Sequence, residues 1–85
     1  MAPNPIRGRA YFQFALPQAS HVKLEIHDLQ GRRLAVLADG ERGAGLHEVA
    51  WNGRTEGGAV ANGVYFLRFR ALGREMTRRF VMLTR

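Results

Sequence analysis

The chain has 85 residues, a formal net charge of +6 and no cysteine. This length sustains one domain with a small core, and the absence of cysteine excludes disulfides, thiolate metal sites and a cysteine nucleophile. A hydrophobic fraction of 46% is ordinary for a globular protein, and no apolar run approaches the ~18–20 residues that span a bilayer as a helix.

Residues 1–8, MAPNPIRG, hold two of the three prolines and no periodic pattern, so they read as a linker or entry segment. They contain no apolar stretch of the kind a secretory leader needs. Period-2 alternation begins at residue 10. In AYFQFAL (10–16), Phe12, Phe14 and Leu16 share one face, and Pro17 stops the strand. In SHVKLEIHD (20–28), Val22, Leu24 and Ile26 alternate with Lys23, Glu25 and His27, which predicts a strand with one face in the core and one in water. DLQG (28–31) predicts a turn opened by Asp28, with Gly31 at positive φ. RRLAVLA (32–38) is the expected antiparallel partner.

DGERGAG (39–45) reads as a polar loop in which Asp39 bonds its own turn. LHEVAW (46–51) alternates again, with Val49 and Trp51 on one side, so Trp51 is expected in the core. NGRTEGGAVANG (52–63) reads as the longest irregular stretch. In VYFLRFRA (64–71), Tyr65, Leu67 and Phe69 are expected to point inward, with Phe66, Arg68 and Arg70 outward. LG (72–73) is placed as a hairpin turn, and 74–85 as the last strand. No window shows helical periodicity. The pattern predicts an all-β antiparallel sandwich or small barrel of about seven strands over residues 9–85.

Little in the chain points to catalysis. His21 and His27 are six apart on one strand, about 20 Å from each other, and cannot share a metal. With His47 they read as solvated strand residues. The seven acidic residues are scattered, and Ser20, Thr55 and Thr77 lie in no recognisable nucleophile arrangement. The reading is therefore no enzyme, no metal and no cofactor. Twelve of the thirteen basic residues are arginine. They run from Arg7 to Arg85 without forming one patch or motif, which argues against nucleic acid as the partner.

A set of motifs then appears in order: NP at 4–5, FALP at 14–17, VKLEIHDLQGRRL at 22–34, GAGLHEVAWNG at 43–53, GVYFLRF at 63–69 and RRFVMLTR at 78–85. In series they resemble the immunoglobulin-like domain of flagellar hook-capping proteins and the related C-terminal sorting domains of type IX secretion cargo. The resemblance implies an immunoglobulin-like sandwich and a secreted or cell-surface location, as the C-terminal part of a larger exported bacterial protein. It implies protein partners in an outer-membrane secretion or attachment machinery, with anionic lipopolysaccharide as a further candidate. The residues it marks for recognition are Gly63, Tyr65, Arg68 and Arg85; Phe66, as an outer-face aromatic beside Arg68, and Arg78 and Arg79, as arginines of a terminal edge strand, complete the candidate set. A structural spacer of the hook-capping type is the competing reading. A carbohydrate-binding module is a third, and it would need two or three exposed aromatics in a row, for which Tyr11, Trp51 and Phe66 are the candidates.

Overall fold

The computed structural model describes residues 6–55 and 57–83. Its elements are β1 (Ile6–Arg7), β2 (Ala10–Leu16), β3 (Ser20–His27), β4 (Arg33–Arg42), β5 (Gly45–Trp51), β6 (Arg54–Thr55), β7 (Gly58–Ala59), β8 (Gly63–Ala71) and β9 (Arg74–Leu83). They form a five-stranded sheet in the order β1-β9-β8-β3-β4, a two-stranded sheet β2-β5, and a small ribbon β6-β7. Every pairing is antiparallel except β1 with β9, where Ile6 and Arg7 run parallel to Met82 and Leu83. Ile6 and Arg7, at the end of the segment read from the sequence as a linker or entry segment, thus join the sheet.

The two main sheets pack face to face because their strands alternate as the sequence predicts. Ala10 and Phe12 of β2 and Trp51 of β5 meet Ile26, Tyr65, Phe80 and Met82 of the larger sheet. A second cluster joins Leu16 to Val22, Leu24, Ala38 and Ala71. Phe14, Val49, Leu67 and Phe69, also expected inside, are half-buried and pack against these clusters, as does Leu34. Aromatic rings knit the layers together. Phe12 meets Phe80 edge-on at 5.5 Å, and Trp51 lies near Tyr65 and Phe80 at 6.1 and 6.2 Å.

Several sequence expectations change. Asp39–Arg42 belong to β4 rather than to a loop, so the connection to β5 is only Gly43–Ala44. Asp39 accordingly bonds no turn; its Oδ1 lies 2.8 Å from His21 Nε2 across the strand pair. The irregular stretch after Trp51 contains the β6-β7 ribbon. β4 also carries two register shifts against β3. The extra residue at Leu37 lets Ala35 and Ala38, three apart, both face inward opposite Ile26 and Leu24.

The turn after β3 forms as predicted. Gly31 has φ +83° and donates its N–H to the Asp28 carbonyl at 3.0 Å. Asp28 Oδ1 accepts the N–H groups of Gln30 and Arg32 at 3.0 and 2.9 Å. The β8–β9 hairpin closes through Leu72 and Gly73, with φ +57° and +72°. This is the type I′ geometry that matches strand twist.

Candidate recognition face

The outer face of the five-stranded sheet is built from alternate residues of four strands. β3 contributes Lys23, Glu25 and His27, and β8 lays Arg70, Arg68 and Phe66 opposite them in register. β9 adds Glu75, Thr77 and Arg79, paired with Arg70, Arg68 and Phe66. β4 brings Val36 and Arg33 alongside Glu25 and His27. Because β3 is central, long side chains on both flanks cover its outer residues. Glu25 and His27 are therefore buried on a nominally solvent-facing surface. His27 is not the solvated residue that the sequence implied, whereas His21, at the strand start, is exposed.

Glu25 sits at the centre of a charged cluster. His27 Nε2 and Arg33 Nη1 both lie 3.2 Å from its carboxylate oxygens, and Lys23 Nζ is 3.7 Å away. Burial opposes ionisation of Glu25. The hydrogen bonds from His27 and Arg33, with the charges of Lys23 and His27, outweigh that and hold its pKa below the usual value. The other nitrogen of His27 faces the Gly31 carbonyl at 3.2 Å, tying the cluster to the turn. In that turn, burial of Asp28 is likewise outweighed, by the Arg32 N–H and guanidinium and the Gln30 N–H, so its carboxyl also titrates low.

The residues marked for recognition divide between faces. Phe66, Arg68 and Arg79 come together on the outer face, with Phe66 and Arg79 directly opposite each other. Arg68 Nε is buried without a hydrogen-bond partner and lies 3.9 Å from Glu75 Oε1. Gly63 starts β8, opposite Met82. Tyr65 points the other way into the core; its hydroxyl donates to the Ala61 carbonyl at 2.6 Å, and burial followed by the charge of Asp28 raises its pKa. Arg78, in register with Leu67, shares the inward-facing side of β9 with Phe80 and Met82, yet is exposed. Arg85 lies outside the described residues. The Glu25–His27 cluster is not legible in the sequence, because its burial depends on cover from both flanks of β3: the adjacent β4 and, more than thirty residues further along the chain, β8.

Neither face offers a row of stacking aromatics. Trp51 is 3% exposed and spends its indole N–H on the Arg54 carbonyl at 3.1 Å. Tyr11 and Phe66 belong to different sheets. Among the described residues no group of three or more histidines and acids could hold a metal. No helix among them is long and apolar enough to cross a membrane.

A tyrosine hydroxyl bond from near the start of a strand, here Tyr65 of β8, back to the chain a few residues upstream, here Ala61, is a hallmark of immunoglobulin-like sandwiches. Comparison with known families agrees: a family model described as "FlgD Ig-like domain" matches residues 5–74. The chain belongs to that family. Solved structures share the fold of this Ig-like domain. A dimeric latent PorU from Porphyromonas gingivalis is 22% identical with a TM-score of 0.76, covering 98% of the domain and 9% of the PorU chain. FlgD from P. aeruginosa is 19% identical with a TM-score of 0.63, covering 86% of the domain and 60% of that chain. FlgD from Xanthomonas campestris, described in connection with hook capping in flagellar assembly, is 23% identical with a TM-score of 0.64, covering 94% and 59%. The domain thus spans less than two thirds of each of these proteins. No curated protein matches the chain.

Proposed function

We propose that this Ig-like domain is a non-catalytic recognition module of an exported bacterial protein, handled through its β8–β9 hairpin by an outer-membrane secretion or attachment machinery of the type IX class. The observation that carries this reading is the state of β9. Beyond its pairing with β8, only Met82 and Leu83 meet a second strand, β1, so Arg74–Phe80 are paired on one side only among the described residues. Arg74, Arg78 and Arg79 make no ion pair there. Such an edge offers main-chain groups to a partner sheet, while its arginines select an acidic partner over a casual one. The small share of the PorU chain that the domain covers supports its use as an appended module.

The test fuses residues 1–85 behind a reporter that carries a signal peptide, in a bacterium with type IX machinery. The reporter is expected at the cell surface or in the medium. The double variant Phe66→Thr with Arg79→Glu alters only the outer face and leaves the core intact, so it should fold and keep the reporter in the periplasm. Surface delivery of the folded double variant at the unmutated level would show that this face is not read. Retention of the intact fusion would reject the sorting role. The spacer reading, which the match to hook-capping FlgD favours, would then stand.

A further inference from the structure

The smaller sheet has two strands against five in the larger. β5 connects to β4 through Gly43–Ala44, so it lies over that side of the larger sheet. β2 lies over the other side, where Phe14 meets Phe69 at 5.0 Å and Phe12 meets Phe80. The edge of β2 that no described strand pairs therefore faces the space above β9. No described strand fills that space. On the inward-facing side of β9, Met76 is 50% exposed, and Arg74 and Arg78 stand two residues to either side of it, exposed and without ion pairs among the described residues.

The edges of this sandwich are defended unequally. β9 is guarded by arginines, and β4 by its two register shifts and its charges. β2, AYFQFAL, is alone among the strands of seven or more residues in carrying no charged residue. Its ladder runs from Ala10 to Leu16 with no bulge and no proline. An undefended regular edge beside an uncovered apolar residue is a template for strand addition.

We infer that the β2 edge is an acceptor for an extended segment of a partner protein that presents acidic, apolar and acidic side chains at alternate positions. Added beside β2, such a strand would turn every second side chain toward β9. Alternate residues of a strand recur about every 6.6 Å on both sides of the gap. One apolar side chain therefore meets Met76 while its two acidic neighbours meet Arg74 and Arg78. Backbone pairing supplies the affinity and the two carboxylates supply the register.

The probe is the labelled peptide acetyl-Thr-Glu-Thr-Val-Thr-Glu-Thr-amide, compared with its counterpart carrying lysine in place of both glutamates. Fluorescence anisotropy with the full chain should show the acidic peptide binding at least about tenfold tighter. Amide exchange should slow within residues 11–15. Arg74→Glu with Arg78→Glu should reverse the preference, and Arg74→Gln with Arg78→Gln should erase it, both at unchanged melting temperature. Equal affinity for the two peptides, or no binding below ~1 mM, overturns the inference. Protection confined to Arg74–Phe80 or to β4 overturns it as well. Concentration-dependent self-association that protects residues 11–15 would assign the edge to a second copy and equally overturn it.

Discussion

The hydroxyl of Tyr65 donates to the carbonyl of Ala61 at 2.6 Å, closing the loop that leads into β8 onto the strand it precedes. Tyr65 thus has two duties: its ring packs among Trp51 and Phe80, and its tip fixes the loop. Tyr65→Phe keeps the first duty and loses the second. The expected cost is about 0.5–1.5 kcal/mol, because water can reach the exposed Ala61 position. Tyr65→Ala loses both and should cost about 3–5 kcal/mol. Urea denaturation of the two variants separates the contributions; equal losses would contradict the division.

Ile26 is 0% exposed and sits between both sheets, whereas Leu29, three residues on, is 65% exposed in the turn. Ile26→Ala should cost about 2–5 kcal/mol, a large share of the stability of a small domain. Leu29→Ala should stay within ~0.5 kcal/mol. Denaturant midpoints measured in parallel check the contrast.

Gly31 at φ +83° has nothing within 4 Å of the place a Cβ would occupy. Any loss on substitution is therefore backbone strain and not a clash. Gly31→Val should destabilise by about 1–3 kcal/mol, and Gly31→Asn by less, because asparagine tolerates the left-handed region. Equal melting temperatures for the two variants would refute that cause.

The Glu25 carboxyl titrates below its unfolded value of about 4.5. A carboxyl whose folded pKa is depressed contributes stability that is present above the unfolded pKa and is lost as pH falls through the folded one. The wild type should therefore lose stability progressively as pH drops below about 4.5. Glu25→Gln should be the less stable protein near neutrality, with a shallower decline over that acid range. Thermal melts across the range, with parallel curves for the two proteins, would rule out a linkage at Glu25.

Where a strand has one wet and one dry face, its residues announce it. Val22, Leu24 and Ile26 against Lys23 and Glu25 place β3, and Tyr65, Leu67 and Phe69 against Arg68 and Arg70 place β8. The turn at Asp28–Gly31 was equally plain, because only certain residues satisfy its geometry. Other features depend on neighbours distant in sequence. β9 reads as charged through Arg79, yet Phe80 and Met82 close the core, because β2 and β5 cover only that part of it. The burial of Glu25 and His27 comes from flanking strands and leaves no mark on β3. The register shifts in β4 are hidden inside LAVLA, an apolar run compatible with any register. Of the residues marked for recognition, Phe66, Arg68 and Arg79 follow from strand parity. The inward turn of Tyr65 follows from the same parity, and it removes the tyrosine from the surface.

The β8–β9 hairpin turns on Leu72, whose φ of +57° suits asparagine or glycine better than leucine. Its amide N–H is held at 3.1 Å by the hydroxyl of Ser20, a residue fifty-two positions earlier. The turn therefore gains little from local preference and leans on β3 already being in place. In kinetic terms the closing hairpin is expected to form late, after the rate-limiting step of folding. Leu72→Asn, which relieves the strain, should then raise stability by slowing unfolding and leave the folding rate nearly unchanged. A chevron in which only the unfolding limb moves is the expected signature, and acceleration of the folding limb would place the hairpin in the nucleus instead.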